Sequence, residues 1–170
     1  MVAGRKERSA GQGRRKAGEE APVAAVAVNR SALHDYSIED RFEAGLVLTG
    51  TEVKSLRLGR VSLREGFVRV SDGEAWLEGV HIPKYSHGTY INHEPERTRK
   101  LLLHRDEIRE LGTRSRAQGY TIVPLRLYFK GGRAKLEVGV ARGRRQYDKR
   151  QVIAERESKR EIARTLRAGR

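Results

Sequence analysis

The sequence feature that most constrains the fold is a pair of alternating apolar runs on either side of Gly131-Gly132. Two glycines between such runs are typical of a tight β-hairpin turn, because glycine adopts the positive φ angles that these turns need. Counting outward from the turn predicts one apolar face made of four pairs: Phe129 with Ala134, Leu127 with Leu136, Leu125 with Val138, and Val123 with Val140. The opposite face would then carry two polar pairs, Tyr128 with Lys135 and Arg126 with Glu137.

A second hairpin turn is indicated by Asp72-Gly73. Its predicted register places two apolar pairs on one face, Val70 with Ala75 and Val68 with Leu77, and Arg69 with Trp76 on the other. Apolar residues at every second position from 42 to 48 predict a further strand, in which Glu43 faces away from the core.

Helix signals are fewer and shorter than strand signals. Thr51 as an N-cap and Gly59 as a stop predict a helix over residues 52–58, and an acidic start with a basic end predicts another over 105–118. Residues 82–100 are polar and contain two prolines, which is typical of a functional or mobile loop. Together these elements predict a mainly β fold with short helices, arranged as a small closed or partly closed barrel.

The net charge of +14 is concentrated at the C-terminus. Residues 142–170 hold 11 basic and 4 acidic side chains, which is half of the excess. Such a field attracts polyanions, of which nucleic acid is the usual one, although an anionic membrane would also be drawn to it. The longest small-apolar run, residues 21–28, is too short to span a membrane, and the absence of cysteine fits a cytoplasmic protein.

Composition divides the chain into three parts. Residues 1–27 lack large apolar groups and are predicted to be a disordered basic extension, residues 28–142 to be the folded domain, and residues 143–170 to be a basic tail. The tail has good helix formers but only a thin apolar stripe that includes Ile153. We therefore expect it to be disordered when free and helical on RNA.

No arrangement of side chains in the sequence indicates catalysis. We find no nucleophile with an acid/base partner, and the spacing of His81, His87 and His93 does not match a metal site, so these are interpreted as surface histidines. The run 97–100 is compatible both with a solvated charge run and with a phosphate clamp, and Tyr128 beside Lys135 with surface packing or an RNA platform. The density of basic residues from Arg142 to Arg150 favours phosphate contact.

Several strings, taken in order, resemble the SsrA-binding protein family over residues 28–160. They are Asn29-Arg30-x-Ala32-x-His34-Asp35-Tyr36, Phe42-Glu43-Ala44-Gly45-Leu46, Gly50-x-Glu52-Val53-Lys54-Ser55-Leu56-Arg57, Asp72-Gly73-Glu74-Ala75, Arg97-Thr98-Arg99-Lys100-Leu101-Leu102-Leu103, Gly119-Tyr120-Thr121, Gly139-Val140-Ala141-Arg142-Gly143-Arg144-Arg145 and Asp148-Lys149-Arg150. The resemblance implies an oligonucleotide-binding-like antiparallel β-barrel with flanking α-helices. It further implies a monomer without cofactors that binds the tRNA-like domain of transfer-messenger RNA and enters the vacant A site of stalled ribosomes in place of the anticodon arm.

The resemblance also implies which residues contact RNA. Glu43, Leu102 and Lys135 are the expected contacts, with Asn29 and His34 as neighbours, and the predicted RNA surface is completed by Arg99, Lys100 and Tyr128. The tail would contact ribosomal RNA in the decoding centre and the empty mRNA channel through a second set: Gly143, Arg144, Arg145, Tyr147, Asp148, Lys149, Arg150 and Ile153. Tyr147 stands where some members have His, and Ala154 and Ser158 are smaller or uncharged relative to some members. The alternatives are a generic barrel-type ribosomal or translation-factor RNA binder and an RNA-processing enzyme.

Overall fold

The computed structural model describes residues 24–88, 91–144 and 158. Within them the chain forms seven strands and three helices, in this order: β1 (Ala25–Val28), α1 (Arg30–Asp35), β2 (Tyr36–Leu46), α2 (Gly50–Arg57), β3 (Phe67–Ser71), β4 (Glu74–Glu78), β5 (Arg99–Leu102), α3 (Arg105–Arg116), β6 (Tyr120–Lys130) and β7 (Arg133–Gly143). None of these helices has the length and apolarity needed to cross a membrane.

The strands form one antiparallel sheet with the order β1-β6-β7-β2-β5-β4-β3. The sheet curls so that β3, at one edge, also contacts β6, the second strand from the other edge. This is a partly closed barrel and confirms the predicted mainly β, oligonucleotide-binding-like fold with flanking helices. Of the predicted tail, residues 143–170, the structure describes only residues 143, 144 and 158.

The core fills the inner face of the curled sheet. Fully buried leucines and valines from β2 to β7 form it, and α2 and α3 pack on it through Leu56 and Leu111. The third helix, α1, lies on the outer face instead, where Ala32 packs against Val123, Leu125 and Ala141. Since α1 covers only that end of β2, β6 and β7, the other end of their outer face has no helix over it.

Both predicted hairpins are present, and one of the two registers is fully confirmed. In the β3–β4 hairpin all three predicted pairs are found. In the β6–β7 hairpin the four pairs nearest the turn are found, but Val138 faces Pro124 instead of Leu125, and Val140 faces Ile122 instead of Val123. The register shifts between Pro124 and Arg126. Proline has no N–H to donate to the ladder, so strands accommodate it at a bulge.

Element boundaries differ from the sequence prediction by a few residues. Helix α2 begins at Gly50, because Thr49 is the N-cap and Glu52 bonds back to the Thr49 N–H in a capping box. Gly59, with φ of 72°, follows the helix as expected. Strand β1 begins inside the predicted N-terminal extension, and β7 continues one residue past the predicted end of the domain at 142.

Candidate nucleic-acid interface

Three strands bring the predicted contact residues together on the uncovered outer face. Gly45 of β2 pairs with Lys135 of β7 on one side and with Leu102 of β5 on the other. Cross-strand partners project to the same face, so Lys135 and Leu102 flank Gly45, with Glu43 two residues away on that face. A Cβ on Gly45 would lie 3.2 Å from the Leu102 Cβ, so glycine permits the close approach of Leu102, which is 56% exposed.

Glu43 is held in one orientation by neighbours on β6 and β7. Its Oε2 accepts a 2.5 Å hydrogen bond from the Tyr128 hydroxyl, and its Oε1 lies 3.5 Å from the Lys135 Nζ. The Tyr128 hydrogen bond and the charges of Lys130 and Lys135 outweigh the opposing effect of burial and lower the pKa of the Glu43 carboxyl. Burial, followed by the bond to Glu43, raises the pKa of Tyr128. At neutral pH Glu43 is therefore an acceptor and Tyr128 a donor.

The surface around Glu43 carries both signs of charge. Glu137 lies directly opposite Glu43 in the β2–β7 register. It is compensated by Arg41, whose Nη1 is 2.9 Å from its Oε1, and by Arg126, whose Nε is 3.4 Å from its Oε2. Carboxylate acceptors beside cations and an apolar leucine can recognise base edges and 2′-hydroxyls as well as phosphates.

Two further predicted contacts are accessible at the margins of this face. The His34 side chain is 40% exposed at the end of α1, with its Nδ1 3.1 Å from the Asp35 Oδ1. Lys100 of β5 forms an ion pair with Glu74 and lies 5.8 Å from the centre of the Trp76 ring on β4. Both side chains can therefore reach a ligand without rearrangement of the sheet.

Asn29 has a structural role in place of the predicted RNA contact. It is 4% exposed, and its Nδ2 donates to the backbone oxygens of Leu63 (2.9 Å) and Pro124 (3.0 Å). Its Oδ1 accepts the Ala32 N–H at 3.1 Å and so caps α1. The whole amide is occupied inside the protein, where it fastens α1 to the barrel.

Arg99 is buried, which corrects the prediction that it binds phosphate. Its guanidinium has no exposed surface and donates to Glu52 Oε1 (2.7 Å), Val80 O (2.8 Å) and Pro95 O (2.9 Å). Arg97 donates to the other oxygen of Glu52 at 2.7 Å. Burial of Glu52 opposes its ionisation, but the bonds from Arg97, the Thr49 N–H and Arg99 prevail and lower its pKa to about 2. Arg97 and Arg99 of the run 97–100 thus bind Glu52 inside the protein, while Lys100 lies on the outer face.

Tyr128 and His93 are also less exposed than predicted. Tyr128 faces outward but is only 5% exposed, with the Arg126 guanidinium 5.1 Å from its ring centre, so it is not an open stacking platform. His93 was interpreted as a surface residue, yet its Nδ1 lies 2.9 Å from Thr51 Oγ1 and its Nε2 2.9 Å from Ile82 O. No spacing in the sequence signals the bonds of Tyr128 to Glu43 or of His93 to Thr51, because these partners lie 85 and 42 residues apart in the chain.

Only the start of the predicted tail site can be placed. Gly143 pairs with Tyr36, and the Arg144 N–H donates to Asp35 O at 3.0 Å. The other predicted tail contacts lie outside the described residues: Arg145, Tyr147, Asp148, Lys149, Arg150 and Ile153.

Comparison with known proteins decides the family. The family model described as SmpB protein matches residues 26–168. The chain belongs to the SmpB family. The SsrA-binding protein of Thermobifida fusca (strain YX) is 63% identical over 142 residues, which cover 84% of this SmpB-family chain and 89% of the relative. That of Roseiflexus sp. (strain RS-1) is 59% identical over 143 residues, which cover 84% and 90%.

A solved structure of the SmpB family agrees with the fold. It is described as "tmRNA-SmpB: a journey to the center of the bacterial ribosome", and it matches with a TM-score of 0.62 and 46% identity over 78% of this chain and 95% of that one. These findings confirm the family resemblance that the ordered motifs indicate.

Proposed function

We propose that this chain binds the tRNA-like domain of transfer-messenger RNA and delivers it to the vacant A site of stalled ribosomes, where it takes the place of the anticodon arm. The observation that carries the proposal is the grouping of Glu43, Lys135 and Leu102 on the outer face that α1 leaves uncovered. It is supported by the relatives, which are SsrA-binding proteins, and by the solved structure described as tmRNA-SmpB.

On this face each side chain offers a different kind of contact. The Glu43 carboxylate, oriented by Tyr128, accepts hydrogen bonds from base amino groups or 2′-hydroxyls. Lys135, 3.5 Å from Glu43, provides a cation for a neighbouring phosphate, and Leu102 an apolar surface for an unstacked base. His34 and Lys100 extend the contact at its margins. Since the acceptor and the apolar surface read features other than charge, the site favours one RNA shape over polyanions in general.

The tail is proposed to act by occupancy. Residues 143–170 would enter the decoding centre and the empty mRNA channel, through Gly143, Arg144, Arg145, Tyr147, Asp148, Lys149, Arg150 and Ile153. A basic segment there competes with mRNA for the same surface, so that absence of mRNA is the signal. The protein would make and break no covalent bond. We propose a cytoplasmic, monomeric RNA-binding factor without cofactors, in which an N-terminal extension and a basic C-terminal tail flank a folded domain that runs from β1 to β7.

Binding to two RNAs tests the proposal. The affinity for the tRNA-like domain and for an ordinary tRNA would be measured across a salt series, with full-length protein, a truncation after Arg144, a Glu43→Ala/Lys135→Ala double variant, and Arg109→Ala as a control on the exposed side of α3. We expect selective binding that survives truncation and the control substitution but collapses in the double variant. Truncation should abolish peptide tagging on stalled ribosomes. Equal affinities for the two RNAs, with most binding lost on truncation, would refute the proposal.

A further inference from the structure

The residue that follows strand β7 is docked on the C-terminal end of helix α1. The Arg144 N–H donates to Asp35 O at 3.0 Å, and the Arg144 Nη1 lies 3.5 Å from His34 O. The last carbonyls of a helix have no partner within the helix, so a basic residue beside them satisfies them and meets their partial negative charge. Arg144 is half-buried as a result, although Arg142 and Gly143 before it are exposed.

Helix α1 is itself fixed to the barrel. The Asn29 side chain caps its first turn and joins it to the carbonyls of Leu63 and Pro124. Ala32, in the middle of the helix, packs on the outer face of the sheet. Because α1 is bonded at its start and packed along its length, the carbonyls at its end keep a fixed position relative to the strands.

Arg144 lies at the point where the chain leaves the sheet. Strand β7 ends at Gly143, which pairs with Tyr36, the first residue of β2. Apart from its chain neighbours, no atom of the described residues lies within 4 Å of the position that a Cβ on Gly143 would take, so nothing packs on the chain at that point. The direction in which the chain continues therefore depends on the contacts of Arg144 with α1.

The last turn of α1 also belongs to the margin of the proposed RNA site. The His34 side chain, which is a predicted RNA contact, is 40% exposed, while the backbone oxygen of the same residue lies beside the Arg144 guanidinium. RNA bound by the His34 ring and the base of the tail would therefore be connected through a single residue.

We propose that Arg144 is a positioning residue, which docks on α1 and so fixes the direction in which residues 145–170 leave the domain before any ribosome is bound. A tail restricted at its base searches a smaller volume, which raises its effective concentration at a surface that lies in the permitted direction. The inference rests on the proposed function, in which that surface is the empty mRNA channel. It gives Arg144 a task that is separate from contact with ribosomal RNA, because such a contact alone would not restrict the tail of the free protein.

Spin-label distances in the free, full-length protein test the positioning. The chain has no cysteine, so Thr113→Cys on α3 and Gln146→Cys, two residues past Arg144, provide one pair of labels. We expect Arg144→Gln to widen the distance distribution by roughly 5–10 Å, which is the reach of a few unrestrained residues. Arg60→Gln, an equal change in net charge at an exposed position after α2, should leave the width unchanged. An unchanged width in Arg144→Gln would overturn the inference.

Peptide tagging on stalled ribosomes tests whether the direction of the tail matters. Arg144→Gln leaves the outer-face site around Glu43 intact, so it should bind the tRNA-like domain as the parent does. Its tagging rate should nevertheless fall by about tenfold, because the tail reaches its surface less often. Arg60→Gln should tag at the parent rate. A widened distance distribution in Arg144→Gln together with parent-like tagging would also contradict the proposed role.

The proposed function and this inference fail in different ways. If the parent protein does not prefer the tRNA-like domain over an ordinary tRNA, the proposed function fails, while the distances, which are measured without RNA, still decide whether Arg144 restricts the tail. If the parent is selective and Arg144→Gln has the parent's distance distribution, the inference fails alone.

Discussion

Replacing Glu52 by Gln removes the buried carboxylate that joins α2 to the chain leading into β5. Both oxygens of Glu52 are bonded to arginines, and neither Glu52 nor Arg99 has exposed side-chain surface. Without the carboxylate, Arg99 remains buried as an uncompensated charge. Breaking a buried pair on one side typically costs about 3–5 kcal/mol. The lowering of the Glu52 pKa from 4.5 to about 2 corresponds to about 3 kcal/mol at neutral pH, which lies in the range expected for a broken buried pair.

Urea denaturation is the assay for Glu52→Gln, with Glu74→Gln as the matched control. Glu74 also forms an ion pair, with Lys100, but both side chains are about 40% exposed, and such a pair contributes at most about 1 kcal/mol. A loss of about 3 kcal/mol lowers the denaturation midpoint by about 1–3 M urea for ordinary m-values. If the midpoint of Glu52→Gln moves no further than that of Glu74→Gln, the carboxylate does not hold these segments together.

The same variant has a characteristic pH dependence. A carboxyl whose pKa is lower in the folded state stabilises the protein above its unfolded pKa, and this contribution is lost as the pH falls towards the folded pKa. For Glu52 the window runs from about pH 4.5 down to about 2. The difference in unfolding free energy between parent and Glu52→Gln should therefore shrink by about 2 kcal/mol between pH 7 and pH 3. A difference that stays constant over this range would show that the charge of Glu52 contributes nothing.

Three other substitutions test particular contacts. Tyr128→Phe removes the hydroxyl that donates to Glu43, so the Glu43 pKa should rise in an NMR titration and the preference for the tRNA-like domain should weaken, with little change in stability. Asn29→Ala removes the α1 cap and leaves buried carbonyls without a donor, which should cost about 2–4 kcal/mol in urea denaturation. Gly79→Ala should cost at least about 2 kcal/mol in the same assay, because the φ of Gly79 is 69° and the new Cβ would lie 2.4 Å from Glu65 O. A parent-like denaturation midpoint for Asn29→Ala or for Gly79→Ala would contradict the corresponding stability prediction.

Alternation and turn residues predict the hairpins, since both depend only on neighbours in the chain. The shifted register near Pro124 was also readable, because a proline inside a strand indicates a bulge. The burial of Arg99 could have been inferred in part, since alternation places it on the same face as the core residue Leu101. Its partner Glu52 lies 47 residues earlier in the chain, and no local pattern connects the two.

Burial of the outer-face residues was the harder part to predict. The hairpin register places Tyr128 on the outer face correctly, but its exposure depends on what lies beside β6. In the structure β1 adds to that edge, with Ala25 opposite Tyr128, and the Arg126 side chain lies over the ring. Residues 25–27 of β1 fall in the predicted N-terminal extension because their side chains are small, and that prediction leaves Tyr128 uncovered.

Strand β7 contains no bulge. The two register shifts along it arise from an extra residue in each neighbouring strand, Glu39 in β2 and Leu125 in β6. Lys135 near its beginning and Gly143 at its end are therefore joined by eight regular steps, or about 27 Å. The regular strand thus keeps Lys135 and Gly143 at a fixed distance from each other. An RNA bound at the proposed site beside Lys135 would therefore determine where the chain leaves the sheet at Arg144, and so where the tail begins.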